Sequence, residues 1–461
     1  MSTTALATFA AVLSKFRGHF TAPTFVRFIV LVVGWILSCD PSAGCCVTEA
    51  LVAARVAGQM HWAAFHRFFS RAGWDPDRMG HTLFHLLEPL MSSSSWIEVA
   101  VDDTVAQKRG PHVFGASMHV DAVTSTKKRK NLVRGHCWVE LGVVVNVSWS
   151  KRAWFIPLLS RLYRGKREGG TEYRTKSALG REMVDLVLTW VDPCREVRLL
   201  LDSGYMVKPM LHDLPFERVT VFGSIKTNAA LYRPLGAGRS KTKRRGRPRK
   251  KGKRLPTPTM MHREPRRKWT RIRFQVSQRE RQKEVLSLKA QWYGVLGSRI
   301  NHVVLMREDT EKLRVVLCTD ETLSMESILE QGARRWPIEV WNRDVKQFFG
   351  FADSPAWSKQ AVLRTAPWVA LVSGILVVWF HRIYVKGIQI PIPERPWYHW
   401  KTDLSFADLV RAAQETLRGA DALDFAVAIL ERDPNVFKGA RGEKKAVERR
   451  SAEEQEMTKA A

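Results

Sequence analysis

The sequence has few cysteines, and their positions match no common metal site or disulfide framework. Six cysteines occur among 461 residues, and the adjacent pair Cys45–Cys46 is not a Cys-x-x-Cys site. The thirteen histidines include no His-Glu-x-x-His pattern. These absences argue against zinc sites of those kinds and against a disulfide scaffold. We expect reduced core residues at all six positions: Cys39, Cys45, Cys46, Cys137, Cys194 and Cys318.

Long uncharged apolar runs are also absent. Residues 28–37 form a short run after Arg27, and residues 366–380 are uncharged. Both runs are shorter than the ~20 residues that a membrane-spanning helix needs. We therefore expect residues 366–380 to form a buried helix. The N-terminus lacks the basic and then apolar opening of a signal peptide, which predicts a cytoplasmic protein.

Acidic residues are scarce relative to basic ones. The chain has 45 Asp and Glu against 74 Lys and Arg, which gives a net charge of +29. Such a field favours a polyanionic partner. A membrane surface could attract it too, but no stretch supports a bilayer span. The hydrophobic content of 45% is that of a globular protein, and the length predicts two to four domains or lobes.

Aspartates follow two apolar runs that have the pattern of buried strands. Asp102 and Asp103 come after residues 97–101, and Asp202 comes after residues 197–201. The carboxyl ends of buried strands lie at the sheet edge, where open α/β sheets place ligands. A single aspartate at a strand end also commonly forms a turn, so each has a structural alternative.

A third carboxylate lies in the string RRWPIEVWNRDVKQFFGF. The pattern after Pro337 predicts a helix, because proline suits the first helical turn. Glu339 would share one face of this helix with residues at +3, +4 and +7, and Arg335 lies four residues before it. This face suits a site for a metal ion and a phosphate, although an ordinary solvated face with charge pairs is the alternative. The residues at those three spacings are Asn342, Arg343 and Lys346.

Together these motifs resemble those of DDE insertion-sequence transposases, in the branch with a β-strand insertion before the catalytic glutamate. The first motif of that branch, Asp-x-Thr, matches residues 102–104, and the second, Asp-x-Gly-Tyr, matches residues 202–205. The strings HWAAFHRFFSRAGWD and RPWYHWKTDLSFADLV are also similar to members of this group. In the third motif, Tyr-x2-Arg-x3-Glu-x6-Lys, glycine replaces the tyrosine. The matching positions are Gly332, Arg335, Glu339 and Lys346.

The resemblance implies an α/β fold: a ribonuclease-H-like mixed sheet with flanking helices, an inserted β-subdomain and an N-terminal all-helical domain. The pattern of the chain agrees with a β-β-β-α-β-α-β order. It predicts strands at 97–101, 139–147, 153–159, 197–201 and 218–225, a helix at 177–190, a short helix after Gly204, and later strands at 271–276, 286–292, 302–306 and 313–318.

The expected domains follow this order. Residues 1–95 are predicted to form a helical DNA-binding domain, or a plain helical packing domain, with breaks at Pro23, Gly34, Pro41 and Gly44. The other predicted boundaries are 96–225 for the first part of the catalytic core, 226–321 for the insertion, 322–385 for the last part of the core, and 386–461 for a C-terminal helical region with a charged tail.

A basic loop at 239–254 lies near the start of the insertion. Residues 245–248, Arg-Gly-Arg-Pro, match the core of an AT-hook, which can lie in a narrow minor groove. A disordered loop that binds phosphates without preference is the alternative, and a localisation signal is a third. We expect Arg245, Arg247 and Lys250 to contact DNA.

For chemistry, the resemblance implies that Asp102, Asp202 and Glu339 hold two Mg²⁺ ions, which Mn²⁺ could replace. Asp103 could assist Asp102 or replace it as the ligand. Arg335 and Lys346 would contact DNA phosphates. Related transposases stack a flipped base on an aromatic residue of the insertion; packing is the alternative for Trp269 and Trp292.

The expected activity is cleavage at transposon ends followed by 3′-OH strand transfer. The implied partners are double-stranded DNA, as terminal inverted repeats and target, and a second copy in a synaptic homodimer, with no membrane. The expected location is the bacterial cytoplasm at the nucleoid. The alternatives are a ribonuclease-H-like nuclease without strand transfer and a domesticated DNA-binding protein without catalysis.

Overall fold

A computed structural model describes most of the chain. The described residues are 3–39, 44–91, 94–121, 124–126, 128–235, 249–307, 312–388, 396–398 and 403–432.

The N-terminal region is helical, as predicted, but two of the predicted breaks are wrong. Pro23 and Gly34 both lie inside α2, because proline fits the first turn and Gly34 lies where α2 crosses α3. A Cβ atom at Gly34 would come within 2.1 Å of the Ala50 carbonyl oxygen. Gly44, with φ +72, lies in the link between the two helices, and Pro41 is outside the described residues. The helices are α1 (Thr3–Leu13), α2 (Ala22–Leu37), α3 (Val47–Ala53), α4 (Ala63–Ser70), α5 (Pro76–Leu86) and α6 (Glu88–Met91), with a 3₁₀ turn at Ser14–His19.

One mixed sheet contains all ten strands of the described residues, in the order β2-β3-β1-β5-β6-β10-β9-β8-β7, with β4 paired to β3. The strands are β1 (Trp96–Gln107), β2 (Ser117–Val120), β3 (Leu132–Val147), β4 (Ser150–Tyr163), β5 (Glu196–Leu201), β6 (Val219–Ser224), β7 (Thr270–Val276), β8 (Arg279–Gln291), β9 (Ile300–Arg307) and β10 (Leu313–Cys318).

The core of this sheet has the predicted ribonuclease-H-like arrangement. The strands β4, β3 and β1 pair antiparallel, whereas β1, β5 and β6 pair parallel. Two differences from prediction concern length and number. Antiparallel pairing with β3 extends β1 to Gln107, and β2, which was not predicted, pairs with the start of β3.

The four predicted strands of the insertion are confirmed as β7 to β10. They extend the core sheet, because β10 pairs antiparallel with β6. The sheet is therefore continuous from the core into the insertion. The predicted domain boundaries themselves stay predictions.

Helices cover both faces of the core sheet. The confirmed helix α8 (Lys176–Trp190) packs against β1, β3 and β4, and α13 (Pro337–Phe348) packs against β1 and β4 from the other side. The short helix expected after Gly204 is confirmed at Lys208–Leu211 (α9). The remaining helices are α7 (Lys166–Gly169), α9 (Lys208–Leu211), α10 (Pro258–Arg263), α11 (Tyr293–Leu296), α12 (Met325–Ala333), α14 (Lys359–Leu363), α15 (Thr365–Val385), α16 (Phe406–Leu417) and α17 (Ala422–Glu431), with 3₁₀ turns at Gly170–Glu172 and Pro396–Tyr398.

The apolar helix α15 is a core helix, as predicted. Among the described residues, Lys359–Val385 is one helical stretch whose length and composition would suffice to cross a membrane, and 83% of its apolar window is buried inside the protein. It packs against α1, α5, α16 and β4. This burial accounts for its composition.

Arg364, between α14 and α15, ties the N-terminal helices to this core. Its guanidinium donates to the carbonyl oxygens of Phe68, Phe69, Ala72 and Trp74 at 2.6–3.3 Å. The side chain also lies over the Trp74 ring, 4.6 Å from its centre. The tied segment is the HWAAFHRFFSRAGWD string, so part of that string has a structural role. The predicted charged tail from Asp433 lies outside the described residues.

Candidate active site

Asp102 lies where β1 and β5 separate. The last parallel pair joins Val101 to Leu201, so Asp102 and Asp202 are the next residues on the two strands. Because β1 continues beside β3, Asp102 is inside a strand, whereas Asp202 follows the end of β5. The crevice beyond the carboxyl ends of parallel strands is where such sheets bind ligands.

Local backbone hydrogen bonds fix both carboxylates. Asp103 donates its backbone N–H to Asp102 Oδ1 at 2.8 Å. Gly204 and Tyr205 donate theirs to Asp202 Oδ1 at 2.9 and 3.1 Å. Asp202 therefore also forms a turn of the kind expected for a strand-end aspartate.

Arg335 joins the first and third carboxylates. Its Nη1 donates to Asp102 Oδ2 at 2.8 Å, and its Nη2 donates to Glu339 Oε1. Glu339 is in the first turn of α13, four residues after this arginine. Asp202 acts electrostatically on both Asp102 and Arg335. The structure therefore joins two acidic residues of the predicted triad, Asp102 and Glu339, through one guanidinium, and places Asp202 near enough to act on them electrostatically.

Burial governs the charge of Asp102. It raises the pKa of Asp102 to about 7; Arg335 counteracts this effect, and Asp202 adds to it. Burial also opposes the charge of Arg335, but Asp102 and Glu339 hold the pKa of the guanidinium above its ordinary value. The ionised form of the Asp102 carboxylate is thus stabilised by the neighbouring Arg335 guanidinium.

The chemistry of the donors fits a hard divalent cation. Three carboxylates supply oxygen ligands, and one of them is buried with a raised pKa, so additional positive charge would stabilise its ionised form. In the described residues, no group of three or more His, Cys, Asp and Glu side chains is placed so that it could hold a metal ion. Arg335 lies between the carboxylates, so the triad as it stands is not a closed metal cage.

Asp103 points to the other face of the sheet. Its Oδ2 accepts from Lys176 Nζ at 2.6 Å and from Cys137 Sγ at 3.4 Å, and its Oδ1 accepts from the Tyr205 hydroxyl at 3.1 Å. Consecutive strand residues alternate between faces. The carboxylate beside Arg335 is therefore that of Asp102.

The other residues of the α13 face have different surroundings. Lys346 is exposed as a whole residue. Its ammonium is nevertheless partly desolvated by surrounding protein, which lowers its pKa, while the nearby Asp121 carboxylate acts to raise that pKa. Asn342 Oδ1 is buried without a hydrogen-bond partner. Arg343 donates to Asp344 at 2.7 Å. Of the predicted cations, Arg335 is the one for which a contact with the triad is observed.

The departure at Gly332 has a packing explanation. A Cβ atom there would lie 3.3 Å from Val316 Cγ1, so α12 packs closely on β10. A tyrosine at this position would need that contact to open.

Two of the predicted DNA-contact residues, Arg245 and Arg247, lie outside the described residues. Lys250 is exposed, and its carbonyl accepts from Ser298 Oγ at 3.1 Å. The chain on both sides of the basic loop is held by a β-bridge between Tyr232 and Arg254.

Trp269 and Trp292 are both partly buried against the hydrophobic core. Arg307 lies 4.0 Å from the centre of the Trp269 ring. These contacts confirm packing for both residues, and base stacking stays a prediction.

The cysteines are free thiols, but not all belong to the core. Cys45, Cys137 and Cys318 are buried, whereas Cys194 is exposed. The expectation of a core position is therefore wrong for Cys194.

A groove of about 1380 Å³ lies on the flank of α13 away from the triad. It is lined by Trp336, Arg343 and Asp344, and its lining does not include Asp102, Asp202 or Glu339. In that groove Arg334 pairs with the buried Glu98. The chemistry and the groove are thus on opposite sides of one helix.

Sequence reasoning missed two residues beside the site. Lys176 carries no local signal, because a lysine at a helix start is common, and only the fold places it against Asp103. Glu140 is fully buried opposite Asp102 in the β1–β3 register, and burial raises its pKa to about 8. The sequence did contain a signal for Glu140, because a single glutamate within a valine-rich strand run indicates a buried charge.

Comparisons with known proteins bear on this geometry. A family model described as DDE superfamily endonuclease matches residues 16–294, which include Asp102 and Asp202. Among solved structures, the fold is similar to piggyBac transposase in a cryo-EM synaptic complex with hairpin DNA, with 11% identity, 89% of this chain and 73% of that chain covered, and a TM-score of 0.44. A comparison with curated proteins found no match. Since the family match covers more than half of the chain, the protein belongs to the DDE superfamily of endonucleases.

Proposed function

We propose that this protein is a DNA transposase that cleaves DNA at transposon ends and joins the released 3′-OH to a target. The observation that carries the proposal is the Arg335 guanidinium that joins Asp102 to Glu339, with Asp202 near enough to act on it electrostatically, in a DDE superfamily chain. The net charge of +29 supports a polyanionic substrate.

The carboxylates of Asp102, Asp202 and Glu339 would hold Mg²⁺, or Mn²⁺ in its place. When bound, the metal would lower the pKa of a water and stabilise the leaving oxygen. Arg335 has a separate role: its guanidinium orients Asp102 and Glu339 and, next to them, could donate a hydrogen bond to a phosphate oxygen. Exposed Lys346, on the same helix, would position the DNA backbone.

The test is a cleavage assay on DNA that carries the terminal repeats flanking the gene. Single alanine variants of Asp102, Asp202 and Glu339 should lose cleavage and keep binding. Asp320→Ala is the matched control, because Asp320 also accepts a turn N–H, from Thr322 at 2.8 Å, after strand β10. Full cleavage by any one triad variant would remove that residue from the site.

A ribonuclease-H-like nuclease without strand transfer is the second candidate, because the first chemical step would use the same carboxylates. A pre-cut transposon end separates the two functions. Covalent joining of its 3′-OH to target DNA supports the transposase, whereas cleavage without joining supports the nuclease. A domesticated DNA-binding protein would show neither activity.

We also propose that two copies act together on two transposon ends, in the bacterial cytoplasm at the nucleoid. Light scattering of the protein with one and with two terminal-repeat DNAs measures this assembly. A complex of one chain per cleaved DNA pair would contradict the dimer.

A further inference from the structure

A partly buried polar network lies on the α8 face of the sheet, directly behind the candidate active site. Its centre is the Asp103 carboxylate, which accepts from Lys176 Nζ at 2.6 Å and from the Tyr205 hydroxyl at 3.1 Å. The Cys137 thiol completes the set at 3.4 Å. A carboxylate that is only 25% exposed requires such partners.

Tyr205 contacts Asp103 on β1 and Asp202 directly after β5. Its phenol bonds Asp103 on β1, and its backbone N–H bonds Asp202 at 3.1 Å. It is 2% exposed, so its ring has little freedom to move. One residue thus connects the neighbour of Asp102 to Asp202 itself.

The helix above the network is shaped to admit this ring. A Cβ atom at Gly180 of α8 would lie 3.2 Å from Tyr205 Cε1 and 3.1 Å from Val101 Cγ1. Both distances are tighter than ordinary packing. A larger residue would push the tyrosine away from Asp103.

The backbone of Asp103 links this network to the triad residue Asp102. Its N–H donates to Asp102 Oδ1 at 2.8 Å, so fixing the Asp103 side chain also fixes the hydrogen bond that orients Asp102. Lys176 supplies the balancing charge from the first turn of α8. Its side chain is 37% exposed, so this position tolerates substitution better than Tyr205 does.

We propose that Tyr205 and Lys176 are positioning residues that act through Asp103. They restrict the positions of the Asp102 and Asp202 carboxylates, through the Asp103 N–H on Asp102 and the Tyr205 N–H on Asp202, and so favour binding of a divalent cation. This inference rests on the proposed function, and it adds a role for residues that do not touch substrate. Outer partners of this kind orient the ligands of metal sites, and their loss typically weakens metal affinity by about 10- to 100-fold.

The test measures metal affinity apart from activity. Mn²⁺ is titrated into the full-length protein by calorimetry, and DNA cleavage is measured across Mg²⁺ concentrations. Tyr205→Phe removes one hydroxyl and keeps the ring. We expect a Mn²⁺ dissociation constant roughly 10- to 100-fold higher, with cleavage recovering at saturating Mg²⁺.

The lysine gives an independent pair of variants. Lys176→Met should weaken Mn²⁺ binding in the same direction, and Lys176→Arg should restore most of the affinity because it keeps the cation. Tyr384→Phe is the matched control: this tyrosine packs on Phe380 and Trp149 on the core helix α15. It should bind Mn²⁺ like the wild type.

Unchanged Mn²⁺ affinity in Tyr205→Phe and Lys176→Met, with melting temperatures like the wild type, would overturn the inference. If Tyr205→Phe does not fold, the Lys176 pair decides. A wild-type protein that binds Mn²⁺ but cleaves no terminal-repeat DNA would refute the proposed function. The Mn²⁺ affinities of the Tyr205 and Lys176 variants would then still decide whether these residues position the metal ligands. Wild-type cleavage with unaltered variant affinities would refute the inference alone.

Discussion

As the pH rises towards neutral, metal-free Asp102→Asn should gain stability relative to the metal-free wild type. In the folded chain burial raises the pKa of Asp102 to about 7, against 3.8 for the ordinary side chain. The folded state therefore binds a proton that the unfolded state has released between these two values. Unfolding free energy then falls as pH rises from 3.8 to about 7. Asparagine has the same shape, does not ionise and avoids this loss.

The magnitude follows from the width of the accessible pH window. Between pH 5 and the pKa of about 7, two pH units at about 1.4 kcal/mol each give a wild-type loss of about 2.7 kcal/mol relative to the variant. The side chain is 17% exposed, so solvent screening reduces this only partly. Losing the bond from Arg335 should lower the stability of the variant by a similar amount at every pH. It therefore does not alter how the stability difference between variant and wild type changes with pH. An unfolding entropy of about 2.1 cal/mol/K per residue, summed over 461 residues, converts this loss of unfolding free energy to a relative shift in melting temperature of about 3 °C.

The assay is thermal unfolding of both proteins in EDTA from pH 5 to pH 9. The difference between the two melting temperatures should change by about 3 °C in favour of Asp102→Asn, and Asp320→Asn controls for the loss of a turn-forming carboxylate at a strand end. Glu140 also titrates in this range, but it is common to both proteins and cancels. Adding Mg²⁺ should stabilise the wild type more at pH 8 than at pH 6, because binding requires the ionised carboxylate. A melting difference independent of pH would refute the assignment of a raised pKa to Asp102.

Three further predictions concern other parts of the fold. Arg364→Lys should lower the unfolding free energy by about 3 kcal/mol, because an ammonium cannot replace all the hydrogen bonds that the guanidinium donates to four carbonyl oxygens. Chemical denaturation measures this loss, and an unchanged denaturation midpoint would contradict it. Gly34→Val should abolish soluble expression or lower the melting temperature strongly, since a Cβ would lie 2.1 Å from the Ala50 oxygen, whereas Gly58→Ala, in open space, should be nearly neutral. Replacing the Lys and Arg residues of 239–248 with Ser should flatten the salt dependence of DNA binding by about 0.9 in log–log slope for each lost phosphate contact; an unchanged slope would show that the loop does not bind DNA.

Much of the fold could be read from local patterns. The runs around residues 97–101, 197–201 and 313–318 are apolar, β-prone and bounded by polar residues, so their strands were predictable from the chain alone. Pro337 marked the start of α13, and this fixed the spacing of Arg335 and Glu339. Where local signals misled, packing was the cause. Gly34 is a helix breaker by propensity, but it is required where α2 meets α3.

The chain by itself determined which residue types lie at strand ends and helix starts, because those patterns depend on periodicities of two and 3.6 residues. The resemblance favoured Asp102 as the ligand, but the chain itself left Asp103 open as an alternative. Tertiary structure separated them, because β1 lies between α13 on one face and α8 on the other, so that Asp102 meets Arg335 and Asp103 meets Lys176. It also decided that β10 pairs with β6 and extends the core sheet. Pairing partners and facing helices come from distant parts of the chain, and no local pattern encodes them.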